Sequence, residues 1–215
     1  MTEYTAIYEA AESLAELLRR GMSPEPIAKP ELIGLCEPQE PEDFQLTVWV
    51  YNIEECKDTG TRTGYIPDPN DPRIERYAPI QLKLHLLISA HSKASARQKY
   101  ADRYRIIGRA VQLIRDNPSI PAECLQGSLA EQTEPILMEI ARLNSEEMSR
   151  VWNNANKTVV PSFGVTLSQV YISSNRVREI APRVTTADFE TRRKDTANKT
   201  GTTAVPSSQI LTSEG

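Results

Sequence analysis

The part of the sequence that most constrains the fold is a regular alternation of apolar and polar residues at residues 80–89. Every second residue from position 82 to position 88 is leucine or isoleucine, and Gln81, Lys83 and His85 fall between them. Side chains of a β-strand alternate between the two faces of a sheet, so this pattern predicts a strand with one buried face. Because such a face must be covered, the rest of the chain has to supply further strands and a packing layer.

Three further segments have strand-like patterns, at residues 44–53, 134–143 and 163–173. Segment 44–53 carries bulky side chains on both faces, which predicts a strand that is covered on both sides. The residues assigned to its two faces are Leu46, Val48 and Val50, and Thr47, Trp49, Tyr51 and Ile53. A short apolar run near Leu32 indicates one additional short strand.

Residues 4–20 are predicted to form an amphipathic helix, because apolar side chains recur at three- and four-residue spacing. That stripe consists of Ile7, Ala10, Ala11, Leu14, Leu17 and Leu18. Gly21 is predicted to stop this helix, since glycine favours the position after a helix and prolines follow at positions 24 and 26.

A long helix is predicted over residues 95–117, ended by Asn117-Pro118, and a short one over residues 145–154. The apolar stripe predicted for the long helix consists of Tyr100, Tyr104, Ile107, Val111 and Ile114, joined by Ile106, Ala110 and Leu113. Asn144 and Glu147 have the spacing of a capping box at the start of the short helix.

The predicted order is therefore α-β-β-α-β-α-β, which favours an α+β fold: one domain with a mixed β-sheet packed by helices. Residues 54–78 contain few apolar side chains and several prolines, so they are predicted to form a long loop. The domain is assigned to residues 1–175. Residues 176–215 are polar and without periodicity, and are predicted to be an extended C-terminal tail.

The charge balance argues against several classes of partner. The chain has 25 Lys and Arg against 29 Asp and Glu, so a nucleic-acid footprint is not expected. It shows no signal peptide and no apolar run long enough for a membrane span, which predicts a soluble protein made in the cytoplasm. Three scattered cysteines indicate neither a disulfide framework nor a structural zinc site.

Motifs for catalysis, cofactors or metals are lacking in the sequence. It contains no dinucleotide or Walker fingerprint, and His85 and His91 are too few and too poorly spaced for a metal site. The expectation is a protein that is not an enzyme, without cofactor or metal. A small hydrolase that uses His85 with acidic partners is kept as the less favoured alternative.

Clustered arginines are the main candidates for partner binding. They are Arg97, Arg103, Arg105 and Arg109 on the predicted long helix and Arg183, Arg192 and Arg193 in the predicted tail. Arginines on one helix can dock acidic partner subunits. The alternative is an ordinary solvated helix face.

Most of residues 1–175 resembles a family encoded with contractile injection systems of the antifeeding-prophage and Photorhabdus-virulence-cassette type. The ordered segments that carry the resemblance are the helix at 4–20, the strand at 80–89, the helix segment at 104–118, Pro135-Ile-Leu-Met-Glu-Ile140, the segment from Leu143 to Trp152 and Ser168-Gln-Val-Tyr-Ile172. The loop at 54–78 and the tail do not match the family closely.

The resemblance implies a cap, or tail terminator, similar to that of contractile phages. Such a protein would form a homo-oligomeric ring, expected to be a hexamer, on the end of the inner tube. It would contact the last sheath ring within a particle that can be released from the cell. The alternative within the same class is an adaptor or baseplate subunit.

Overall fold

A computed structural model describes residues 3–56, 64–68, 71, 73–152 and 159–180 of the chain. Its elements in chain order are α1 (Ala6–Met22), β1 (Ile33–Leu35), β2 (Leu46–Glu55), β3 (Tyr65–Pro67), β4 (Ile74–Tyr77), β5 (Ile80–Ala90), α2 (Ala96–Asp116), β6 (Leu137–Ala141), α3 (Ser145–Trp152), β7 (Ser162–Ile172) and β8 (Val177–Glu179). Short 3₁₀ turns precede β1 and β6. No helix in these residues is both long and apolar enough to cross a bilayer.

The principal sheet has five strands in the order β1-β2-β5-β7-β6. β1 runs parallel to β2, and the other neighbours are antiparallel, so the sheet is mixed. The predicted α+β class is confirmed, as are the alternation at residues 80–89 and the short strand near Leu32. A second sheet, in the order β3-β4-β8, was not predicted.

The core lies between the principal sheet and the helices α1 and α2. From β5, Leu84, Leu86 and Ile88 are fully buried, as the alternation predicts, and from α1 Leu14 and Leu18 are equally buried. Burying a large aliphatic side chain contributes roughly 1.5–3 kcal/mol each. These contacts fix the helices on one face of the sheet.

The opposite face of the sheet is covered only in part. Leu87, Trp152 and Val160 are buried there in a smaller cluster, against which Trp49 and Tyr51 pack. The capping box at the start of α3 is confirmed, because Asn144 N donates to Glu147 Oε2 at 2.9 Å and Glu147 N donates to Asn144 Oδ1 at 2.8 Å. The cap holds the start of α3, whose Trp152 is buried against this face.

Two sequence-based details of the strands and helices are corrected. The pairing of β2 with β5 shifts between Val50 and Asn52, so Ile53 pairs with Leu84 and moves to the face opposite the predicted one. Gly21 does not stop α1, which continues to Met22. A Cβ at Gly21 would lie 2.6 Å from the side chain of Leu113, so the glycine allows α1 and α2 to approach closely.

The buried face of α2 also differs from the prediction. Ile106, Ala110, Leu113 and Ile114 are buried as expected, but Arg103 joins them, whereas Tyr100 is 58% and Tyr104 62% exposed. Burial of Arg103 in place of the tyrosines rotates the packed stripe around the helix. The aromatic side chains therefore point outward.

The predicted boundary at residue 175 falls just before β8. Val177–Glu179 pairs with β4, and Ile180 N donates to Arg73 O at 2.8 Å. The remainder of the predicted tail lies outside the described residues.

Candidate interaction surfaces

The arginines predicted to bind partners on α2 lie in three different environments. Arg97 and Arg105 are exposed at the surface. Arg109 is half-buried, where its Nε donates to Gly21 O at 3.1 Å and its Nη1 to Gln112 Oε1 at 3.0 Å. Its donors therefore join the two helices, which leaves Arg97 and Arg105 as the accessible pair.

Arg103 does not belong to the surface set. It is only 8% exposed, and its Nε has no hydrogen-bond acceptor among the described residues. It lies on the same side of α2 as Ile106 and Ala110 and faces the core. Little of the Arg103 side chain is therefore accessible, and its partner-binding role stays a prediction. Arg183, Arg192 and Arg193 lie outside the described residues.

His91 is buried at the end of β5. Its Nε2 lies 3.1 Å from Thr47 Oγ1, and the residue is 7% exposed. Burial, together with the nearby charge of Arg103, lowers the pKa of His91 to about 4. His91 is therefore neutral at physiological pH, and it lines a small pocket of about 260 Å³ together with Asp102 and Arg105.

Beside α3, residues of β2, β5, β6 and β7 form the floor of a groove of about 810 Å³. α3 forms one wall. The polar residues that line the groove include Tyr51, Glu54, His85, Glu139, Glu147 and Arg150. Burial and the charges of Glu147 and Glu54 raise the pKa of Tyr51, so its hydroxyl stays protonated.

His85 lies on the floor of this groove beside one acidic side chain. Its Nε2 is 3.4 Å from Glu54 Oε2, and its ring centroid is 6.1 Å from that of Tyr51. No serine or cysteine is among the described residues that line the groove. Within the same residues, no three His, Cys, Asp or Glu side chains form a metal-ligand group. The polar side chains that line the groove can form hydrogen bonds and ion pairs with the surface of a partner.

The second sheet carries a ladder of aromatic and charged side chains on one face. The rings of Tyr65 and Tyr77 meet edge to face with centroids 5.4 Å apart. The guanidinium carbon of Arg178 lies 4.2 Å from the Tyr65 centroid, and that of Arg176 lies 5.1 Å from the Tyr77 centroid. Arg178 also pairs with Glu75, at 2.6 Å from Nε to Oε2. Cation–π contacts and ion pairs thus join β8 to β3 and β4.

Sequence reasoning missed this ladder because its members come from segments about a hundred residues apart. The prolines around Asp68 and Asp71 led to the prediction of a loop. Asp71 does hold a local turn, accepting from Arg73 N at 2.9 Å, and the Arg73 side chain lowers the pKa of that carboxyl. Asp68 is buried and pairs with Arg76. Paired tyrosines flanking the turn were the one local signal of a hairpin.

The sequence and fold can be compared with those of known proteins. A family model described as the Pvc16 N-terminal domain matches residues 9–186. The chain belongs to this family. The match covers most of the chain and confirms the resemblance inferred from the ordered segments. No curated protein matches the chain.

Two solved structures share the fold of this family member. One is the PVC sheath/tube terminator of an extracellular contractile injection system in its extended state, with a TM-score of 0.61 and 11% identity over 92% of this chain. The other is the tube-terminating cap of the anti-feeding prophage, with a TM-score of 0.56 and 15% identity over 82% of this chain. The chain spans 67% of the first protein and 58% of the second.

Proposed function

We propose that this chain is a structural tail terminator of a contractile injection particle, with no catalytic step of its own. The observation that carries the proposal is the family match over residues 9–186, supported by a fold shared with a sheath/tube terminator over 92% of the chain. In this role the protein ends the inner tube and holds the last ring of the extended sheath.

The terminator acts as a ring of identical subunits, six in number. A ring needs a head-to-tail contact between two different surfaces of the same chain, and the rotation between subunits must close. Such contacts are built from surface aromatic and arginine side chains around a buried centre. Tyr100 and Tyr104 on α2, with Arg97 and Arg105 beside them, supply these residue types.

The partners are the tube and sheath subunits. The groove of about 810 Å³ beside α3 gives a polar surface where a neighbouring subunit can form hydrogen bonds. The predicted tail, with Arg183, Arg192 and Arg193, is proposed as an arm that engages sheath subunits by adding a strand. The complex is assembled in the cytoplasm and released as part of the particle.

The proposal is tested by deleting the gene in a producing cell and imaging the remaining particles by negative-stain electron microscopy. Tube length and the state of the sheath are measured in the deletion strain and in a strain complemented with the wild-type gene. Overlong, naked or prematurely contracted particles that complementation corrects are the expected result. Particles of normal length with extended sheaths would reject the terminator role.

A further inference from the structure

The outward side of α2 is exposed in the part of the chain that the structure describes. Its members are Arg97, Tyr100, Ala101, Tyr104, Arg105 and Gly108, which we call the outer face of α2. They share one side because they recur at three- and four-residue spacing, and all are exposed. The buried stripe that begins at Arg103 lies on the opposite side.

The side chains of the outer face are types that dominate protein interfaces. Tyr100 and Tyr104 are each more than half exposed, although tyrosine gains most when its ring is buried and its hydroxyl is bonded. Arg97 and Arg105 have no acidic partner within ion-pair distance in the described part of the chain. Aromatic rings flanked by unpaired guanidinium groups match an acidic docking partner.

Gly108 lies in the middle of this face, and no contact with a described residue accounts for a glycine there. Glycine in a helix interior lowers helix stability relative to alanine. A Cβ built on Gly108 would meet no atom of the described residues within 4 Å, in contrast to the one at Gly21, which would clash with Leu113. Missing bulk at an exposed position allows another molecule to approach the helix backbone closely.

An acidic turn on the same chain has the complementary charge. Glu37, Glu40, Glu42 and Asp43 fall within seven residues and are all exposed. Backbone bonds from Glu40 N to Glu37 O, at 3.1 Å, and from Phe44 N to Pro41 O, at 2.8 Å, hold the turn. The neighbouring Cys36 Sγ lies 2.8 Å from Glu40 O, and burial, followed by the charges of Glu42, Glu37 and Glu40, raises the pKa of this thiol.

Among the described residues, the carboxylates of the acidic turn form no ion pair with Arg97 or Arg105 of the outer face. Asp43 pairs with Lys93, which lies just before α2. Glu37 and Glu42 have no ion pair with any described residue. Both surfaces therefore retain charge that a second molecule can neutralise.

We propose that the acidic turn of one copy docks on the outer face of α2 of a second copy. In this contact Glu37 and Glu42 pair with Arg97 and Arg105, the two tyrosine rings become buried, and Gly108 admits the backbone of the incoming turn. The contact joins two different surfaces, as a ring requires. It deepens the proposed terminator function by naming a subunit contact and rests on that function for its biological setting.

Charge reversal in the full-length protein tests this contact. One variant carries Arg97→Glu with Arg105→Glu, a second carries Glu37→Lys with Glu42→Lys, and a third combines all four changes. Lys29→Glu with Glu123→Lys, at exposed positions outside both surfaces, is the matched control. Self-association is measured by analytical ultracentrifugation, and thermal melts show that each variant is folded.

Each two-residue reversal is expected to weaken self-association at least tenfold, while the fourfold variant restores it and the control leaves it unchanged. Gly108→Leu is expected to weaken association equally without lowering the melting temperature. Failure of the fourfold variant to restore association, or a wild-type chain that stays monomeric at every accessible concentration, overturns the proposal. If the reversed variants self-associate as the wild type does yet bind purified sheath less well, the face serves a sheath subunit, and the second-copy contact is rejected.

The two proposals fail in different experiments. If the reversal variants self-associate as the wild type does and strains that carry them still end their tubes normally, the docking contact is rejected and the terminator function stands. If the fourfold variant restores self-association but deletion of the gene leaves tube length unaltered, the terminator function alone is rejected.

Discussion

The principal sheet and the second sheet of this protein are held together by different forces. In the principal sheet, Leu84, Leu86 and Ile88 bury their side chains completely beneath α1 and α2. In the second sheet, ion pairs and cation–π contacts join Tyr65, Glu75 and Arg178. The first sheet depends on apolar area removed from water, whereas the second depends on contacts that remain partly solvated and contribute little each.

The difference predicts how damage should spread. Loss of apolar volume in the principal sheet should destabilise the whole unit, because its helices and strands share one core. Loss of a polar contact in the second sheet should loosen only the strands that it joins. Four predictions test this contrast, from the largest expected effect to the smallest.

Leu84→Ala should break the principal sheet most strongly. Leu84 is fully buried, so its truncation should lower the free energy of unfolding by about 3–4 kcal/mol through lost burial and a cavity. Ile53→Ala is the matched control, because Ile53 pairs directly with Leu84 across β2 and β5 but is 46% exposed. Urea unfolding measures both, and equal losses would contradict the stated position of the core.

Acid should destabilise the principal sheet through His91. The pKa of His91 is about 4 in the folded chain, against the ordinary value of 6.5. Between these two pH values the imidazole is therefore protonated in the unfolded chain but mostly neutral in the folded chain. Stability should therefore fall by on the order of 2–3 kcal/mol between pH 6.5 and pH 4.

His91→Gln separates this effect from the titration of carboxylates. Glutamine can keep a hydrogen bond to Thr47 but does not titrate, so the variant should show a flatter dependence of unfolding free energy on pH over that window. Identical slopes for wild type and variant, from urea titrations at several pH values, would show that His91 is not the group responsible.

Gly108→Ala should raise stability, in contrast to the substitutions in the core. An exposed glycine in a helix interior costs about 1 kcal/mol relative to alanine, and a Cβ here meets open space. The gain should be measured as a higher midpoint in thermal or urea unfolding. Gly21→Ala serves as the counterpart and should destabilise, because its Cβ would collide with Leu113. A stabilising Gly21→Ala would refute the close packing of α1 on α2.

Arg178→Ala should loosen the second sheet alone. Removal of the guanidinium from Tyr65 and Glu75 should cost about 0.5–1 kcal/mol locally, since the site is partly exposed. Hydrogen exchange should accelerate at residues 74–77 and remain unchanged in β5. Arg178→Lys keeps the charge but loses the planar stacking group, so its exchange rates should lie between those of the wild type and those of Arg178→Ala. A fall in global stability as large as that of Leu84→Ala would erase the contrast between the sheets.

The same contrast explains what could be predicted from the sequence. The strand at residues 80–89 and the stripe on α1 follow from apolar periodicity. This periodicity can be recognised within one segment of the sequence, without knowing which segments pack against it. The capping box at Asn144 is equally local. The second sheet could not be found in this way, because β8 pairs with β4 over a long separation and both are short and polar.

The errors on α2 and β2 have related physical causes. In the sequence, Tyr100 and Tyr104 extend the apolar stripe of α2, but in the structure Arg103 is buried instead of them. A search for periodic apolar residues does not include arginine, although its aliphatic stem can be buried. At β2, the extra residue between Val50 and Asn52 reverses every side chain that follows. The family was predicted from the order of segments, whereas the subunit contact requires exposed faces that only the structure distinguishes.

The most direct test of the terminator account is the position of this protein in the intact particle. Cryo-electron microscopy of assembled particles should show a ring at the baseplate-distal end of the tube. Its subunits should fit the five-stranded sheet with α1 and α2 on one face, and they should contact the last sheath ring. Placement of the same fold at the baseplate, or no density for it at the tube end, would contradict the account.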